Sequence, residues 1–188
     1  MSTSSPETGY HHGDLKRALL EAALEMLDQE GADGVGLREL ARKVGVSPAA
    51  PYRHFRSRQA LLEAVATEGF RRFSAMMAAK EADLPEAEQL PAMAEAYVRF
   101  ALVQPALFRL MFSPQLKRDE RPGLSMAADT AFDTLRHVVG GDVQQGRIKA
   151  LAAWAKVHGL AVLLLDGQIA LRAGEDTEAL VGEIISSL

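Results

Sequence analysis

Residues 45–55 read GVSPAAPYRHF, and the two prolines, Pro48 and Pro51, decide how the chain around them folds. Proline has a fixed φ and no N–H, so it suits the start of a helix and breaks one further in. With Ser47 as N-cap, Pro48 falls at N1. Pro51 then falls at N4, the first position whose N–H would bond inside the helix, to the carbonyl of the cap. It also disfavours α geometry at Ala50. The stretch predicts a short helix over 48–55 with a tight or 3₁₀-like first turn, held in the core at its ends by Val46 and Phe55. The first turn presents Pro48, Ala49 and Ala50, small and rigid; the second presents Tyr52, Arg53 and His54.

Working outward, Leu37, Leu40, Ala41 and Val44 make one apolar stripe with Arg38, Glu39, Arg42 and Lys43 left outside, and Gly45 is a natural residue to end such a helix. Before it, Leu15, Leu19, Ala22, Ala23, Met26 and Leu27 have helical spacing and predict a helix over 13–30 that stops at Gly31. After it, Ser57 caps a fourth helix whose apolar positions Leu62, Val65, Gly69, Phe70, Phe73 and Met76 run on toward Lys80. A helix, a tight turn at Gly45 and a short helix carrying exposed Tyr, Arg and His is the layout of a helix-turn-helix, whose second helix enters the major groove of DNA. Small side chains at Ala49 and Ala50 let the backbone approach base edges and meet a thymine methyl.

Charge supports that reading once it is divided along the chain. The net charge is −4, yet residues 38–58 carry Arg38, Arg42, Lys43, Arg53, Arg56 and Arg58 against Glu39 alone. A basic island on an otherwise acidic protein binds a polyanion through one face while the remainder is repelled from it. Apolar residues are 48% of the chain, charged residues 24% and aromatics 6%, a composition that points to an all-α fold. There is no cysteine, which excludes disulfides and thiolate metal sites. The apolar runs 157–165 and 100–108 are far shorter than the ~20 residues that span a bilayer. Residues 1–9 form a polar tail without a signal pattern, read as disordered, and a cytoplasmic address is expected.

These residues resemble the TetR (tetracycline-repressor) family of bacterial transcription regulators. The resemblance is carried by 22–31 (AALEMLDQEG), 37–45 (LRELARKVG) and 46–62 (VSPAAPYRHFRSRQALL), with the Tyr-x-His-Phe-x-x-basic core at Tyr52, His54, Phe55 and Arg58. It covers residues 10–65 continuously. More weakly, 105–112 (PALFRLMF) and Trp154-x-x-x-His158-Gly159 resemble one subgroup of its regulatory domains. Gly36 stands where the family usually has Thr, Arg58 where it has Lys, and Pro51 where Leu is common. The resemblance implies a homodimeric, sequence-specific DNA-binding regulator, a repressor released from a palindromic operator by a small-molecule inducer. Residues 10–57 would form the three-helix DNA-binding domain, joined through helix 4 to a ligand-sensing and dimerisation domain over 58–188. Tyr52, His54, Arg58 and Lys16 would contact phosphates. Arg38, Ser47, Pro48, Ala49, Ala50 and Arg53 would read bases, with arginine pairing bidentately to guanine.

Further helices are expected over 86–104, 105–113, 122–139, 143–166 and 175–187, punctuated by Pro85, Pro114, Pro122, Gly140-Gly141 and Gly174. The apolar character of 150–165 and the stripe on the last helix, which ends at Leu188, suggest partner-seeking surfaces. The dimer candidates are Leu151, Leu160, Leu163 and Leu164, with Leu180, Val181, Ile184 and Ile185. An inducer pocket is expected between the middle helices, near Met93, Tyr97, Phe100 and Phe108 and near Met111, Phe112, Trp154 and His158. An enzyme is the first rival: His11, His12 and Asp14 as metal ligands, or His54, His137 and His158 as bases. No metal-ligand motif, carboxylate cluster or nucleophile motif accompanies them, so neither catalysis nor a metal or cofactor is expected. The second rival is a helical interaction module, or a dimeric protein without DNA-binding activity, against which the basic island argues.

Overall fold

The computed structural model describes residues 12–81, 84–117, 120–170, 174 and 176–186. The tail over 1–9, His11 and Leu188 lie outside them, as does the side chain of His12. Among the described residues there is no strand: the elements are α1 (His12–Gly34), α2 (Leu37–Val44), a 3₁₀ turn at Pro51–Arg53, α3 (Arg58–Glu81), α4 (Glu86–Val103), α5 (Pro105–Met111), a second 3₁₀ turn at Pro114–Leu116, α6 (Pro122–Val139), α7 (Val143–Leu165) and α8 (Thr177–Ser186). The all-α expectation holds. The chain divides inside α3 into two compact units, one reaching Val65 and the other beginning at Ala66.

In the first unit the apolar stripes close on one another as their periods require. Leu19, Ala23, Met26 and Leu27 of α1 are buried with Leu37 and Leu40 of α2, Phe55, and Leu61, Leu62 and Val65 of α3. At Gly31 the backbone leaves helical geometry (φ 71, ψ −179), so the regular part of α1 ends there and a kinked turn continues to Gly34. Gly45 is left-handed (φ 75, ψ 32). The N–H of Val46 bonds to the carbonyl of Ala41 at 3.0 Å and that of Gly45 to Arg42 at 3.3 Å, which satisfies carbonyls that α2 would otherwise leave open. Ser57 caps α3, its Oγ accepting from the Ala60 N–H at 3.1 Å.

In the second unit α4 is central and packs on α5, α6, α7 and α8. Asp142 caps α7 by accepting from the Gln145 N–H at 2.9 Å. Gly69 of α3 permits a close approach: a Cβ there would lie 2.8 Å from Met111 Sδ and 2.9 Å from Leu107 Cδ1. An 18-residue stretch within α7 is apolar enough to cross a membrane, with mean hydropathy 1.6, which the shorter charge-free runs did not suggest. Here one side of it packs on α4, α6 and α8, while Ile148 and Leu163 on the other are 56% and 42% exposed.

Candidate nucleic-acid interface and ligand cavity

The stretch 48–55 is not the α-helix expected from sequence. Residues 48–50 form a turn and only Pro51–Arg53 are helical, in a 3₁₀ turn. The reason is the one bond Pro51 cannot make. With no N–H at position 51, the Ser47 carbonyl accepts from Ala50 instead, at 2.9 Å, and the i to i+3 pattern persists through Arg53 to Ala50 at 3.2 Å and His54 to Pro51 at 3.0 Å. Pro51 and Phe55 are buried and tether the turn; Val46 is only half-buried. Ser47, Pro48 and Ala49 are exposed, Ala50 and His54 half-buried, and Tyr52 is 49% exposed.

The cations of the basic island have different surroundings. Arg38, Arg42, Arg53 and Arg56 are exposed, and no ion pair among the described residues involves them. Lys43 pairs with Glu25 at 3.2 Å and so fastens α2 to α1. Lys16 is exposed on α1. Arg58, expected at a phosphate, is 44% exposed. Its Nε donates to the Val35 carbonyl at 2.9 Å, its Nη2 donates to the Ala32 carbonyl, and Asp33 lies 3.6 Å away. Its guanidinium is a brace between the start of α3 and the α1–α2 connection. At Gly36, where a Thr was the family's usual residue, Glu39 folds its carboxylate into the space a Cβ would occupy.

The second unit encloses a cavity of about 190 Å3 lined by α3, α4, α6, α7 and α8. Of the expected pocket residues, Met93, Tyr97, Phe112 and Trp154 line it. Phe100, Phe108 and Met111 are buried packing residues and do not. His158 stands behind the wall. Sequence reasoning missed Phe70, Phe73 and Met77 of α3, Leu90 of α4, and Asp129, Phe132 and Leu135 of α6. Phe70 and Phe73 lay on the apolar stripe of their helix, where spacing does not separate a cavity wall from core.

One polar chain crosses the cavity wall. Trp154 Nε1 donates to Tyr97 Oη at 3.1 Å, and Tyr97 Oη lies 2.7 Å from His158 Nδ1. An indole can only donate, so the tyrosine oxygen accepts from it, and the direction of the second bond is set by the imidazole tautomer. Burial pushes the Tyr97 hydroxyl well above its ordinary pKa of 10.0, opposed by the Trp154 hydrogen bond, and burial lowers that of His158. Tyr97 also packs edge-on to Phe73 at 5.0 Å and Phe108 at 5.8 Å.

The dimer candidates need revision. Leu160, Val181 and Ile185 are buried within the single chain, and Leu151 and Ile185 line the cavity, because α8 packs on α4 and spends its stripe there. Leu163 is exposed, while Leu164, Leu180 and Ile184 are half-buried. The outward face of α7 is Ile148, Ala152, Ala155, Gly159 and Leu163, at helical i, i+3 and i+4 spacing.

Residues 90–188 match the family described as "Tetracyclin repressor-like, C-terminal domain", and residues 19–65 match "Bacterial regulatory proteins, tetR family". An uncharacterized HTH-type transcriptional regulator YobS of Bacillus subtilis is 31% identical over 96 residues, 51% of this chain and 50% of that protein. The class D tetracycline repressor of Escherichia coli is 40% identical over 53 residues, 28% of this chain and 24% of that one. The chain thus matches half or less of the length of these relatives. A solved protein of unknown function from Rhodococcus sp. RHA1 superposes with TM-score 0.76 at 35% identity, covering 96% of this chain and 94% of that one. With both of its halves matched, the larger over 90–188, the chain belongs to the TetR family of bacterial regulatory proteins.

Proposed function

We propose that the protein is a sequence-specific DNA-binding transcriptional regulator, a repressor that a small molecule releases from its operator. The observation that carries this is the turn Pro48–Ala50, small and rigid with Pro48 and Ala49 exposed, together with Arg38, Tyr52 and Arg53 exposed in the same unit. Residues 10–57 form the DNA-binding domain, resting on the first turns of α3, and the remainder of the chain senses ligand and dimerises. Tyr52, His54 and Lys16 take phosphates; Arg38 and Arg53, with Ser47, Pro48, Ala49 and Ala50, meet bases. Arg58 positions rather than binds. The cavity takes the inducer, and the Trp154–Tyr97–His158 chain supports assignment to the regulatory subgroup with Trp-x-x-x-His-Gly. The outward face of α7, with Leu180 and Ile184 of α8, pairs with a second copy. A two-fold dimer suits half-sites one helical turn, about 34–36 Å, apart.

The test is to map duplex protected by the protein near its own coding region and titrate binding against salt. A regulator with several phosphate contacts loses on the order of 10³-fold between 50 and 200 mM salt. Arg38→Ala should then cost about 1–3 kcal/mol on the operator and relax one base position. A uniform loss on all duplexes would move Arg38 to the backbone, and salt-insensitive or absent binding would refute the reading.

A further inference from the structure

From the cavity lining we infer that the ligand is a small apolar cation, an aryl or alkyl ammonium, held by an aromatic box with Asp129 at its mouth; this rests on the cavity being the inducer site. Three observations carry it. The first is the wall. Phe70, Phe73, Tyr97, Phe112, Phe132 and Trp154 line one cavity, with Phe112 and Phe132 each about 6 Å from Trp154 between ring centroids (6.2 and 6.0 Å). The electron-rich faces of such rings attract a cation, and the attraction grows as water is removed.

The second is Asp129. It lines the cavity three residues before Phe132 on α6, so carboxylate and ring share a helix face. Its one recorded polar contact is the Ser125 hydroxyl, donating at 3.3 Å. Other carboxylates nearby in sequence are employed: Asp133 pairs with Arg136 at 3.2 Å, and Asp142 caps α7. Asp129 is exposed at the rim of the cavity and has no ion-pair partner among the described residues.

The third is what the lining lacks. Among the described residues it contains no Lys, Arg or His, and Tyr97, which could have offered a hydroxyl, is committed to Trp154 and His158. An anionic ligand would enter an apolar site without a counter-charge and would lose its hydration for nothing. A neutral hydrocarbon would fit the rings but would gain nothing from the carboxylate at the mouth. The volume, about 190 Å3, is somewhat larger than an engineered cavity of about 150 Å3 that accepts benzene, so the ligand has on the order of ten heavy atoms.

The probes are benzyltrimethylammonium, its neutral isostere neopentylbenzene, and 3-phenylpropionate as the anion, titrated into the full chain and followed by Trp154 fluorescence. Benzyltrimethylammonium should bind at least tenfold more tightly than either other probe. Asp129→Asn should weaken it about tenfold and leave neopentylbenzene unchanged, while Asp133→Asn, a charge change outside the cavity, should alter neither. Phe132→Leu should weaken the cation more than the isostere. Equal or tighter binding of the neutral or anionic probe, or indifference to Asp129→Asn, overturns the cation assignment, as does binding of none of the three. Failure of the regulator reading is separate, showing as absent salt-dependent binding to duplex DNA by the unliganded protein.

Discussion

Replacing Tyr97 by Phe removes one oxygen from the cavity wall, and its cost follows from the contacts. That oxygen accepts from Trp154 at 3.1 Å and meets His158 Nδ1 at 2.7 Å, while the ring itself is buried and stays. Each lost hydrogen bond is worth about 1 kcal/mol net, and an orphaned buried donor costs about 1–3 kcal/mol more. Trp154 and His158 are both half-buried, so the penalty on the Trp154 N–H lies at the low end of that range. The second unit should lose about 2–4 kcal/mol, and its melting temperature should fall by roughly 5–15 °C. Trp154 is the sole tryptophan, so its fluorescence during urea or thermal unfolding reads this unit directly. A cycle with His158→Ala should give a coupling of about 1 kcal/mol. Stability of Tyr97→Phe within about 0.5 kcal/mol of the parent, or a coupling near zero, would refute the idea that this polar chain holds the cavity wall.

Other outcomes follow from the same geometry. For His158, whose pKa burial lowers from 6.5, stability is present above pH 6.5 and is lost as pH falls below it. For Tyr97, whose pKa burial raises from 10.0, stability is present below pH 10 and is lost as pH rises beyond it. Trp154 fluorescence should therefore report a stability plateau between these limits, and a flat profile across either would contradict the shift. Arg58→Lys should destabilise the first unit nearly as much as Arg58→Ala, by about 1–2 kcal/mol, because neither variant presents the fork that reaches two carbonyls. A phosphate contact would instead leave Arg58→Lys close to the parent and lower the salt slope of DNA binding for Arg58→Ala by about one. Gly69→Ala sets an overpacking cost of about 1–3 kcal/mol against a helix-propensity gain of about 1 kcal/mol. Denaturant unfolding should show net destabilisation; a stabilised variant would mean that Met111 and Leu107 yield freely.

The parts legible in the sequence were those set by local chemistry. Gly45 ends α2 because only a left-handed residue lets Gly45 and Val46 close on Arg42 and Ala41, and Ser57 caps α3 through its own hydroxyl. The missing bond at Pro51 and a 3₁₀-like turn beside it were legible too, but not that the turn would stop at Arg53 instead of continuing as a helix to 55. Features depending on distant partners were not readable. Arg58 looked like a phosphate contact from its charge, while the carbonyls that claim it lie 23 and 26 residues earlier. Phe108 and Phe112 both face inward at helical spacing, but only Phe112 meets empty space. Periodicity tells which face is inside, whereas a void depends on how side chains from five helices fail to fill a volume. The stripe on α8 likewise looked free for a partner until α4 was seen to cover Val181 and Ile185.

The turn keeps its shape through Gly45, which has no side chain to present, and through the buried Pro51 and Phe55, while the neighbouring Ala49, Tyr52 and Arg53 are exposed. Shape and surface chemistry are therefore separately encoded over eleven residues. Substitutions at Ala49 or Arg53 alter what is presented without touching what folds, so lineages carrying this turn are free to diverge toward new operators with little penalty in folding, while the scaffold positions beneath stay constrained.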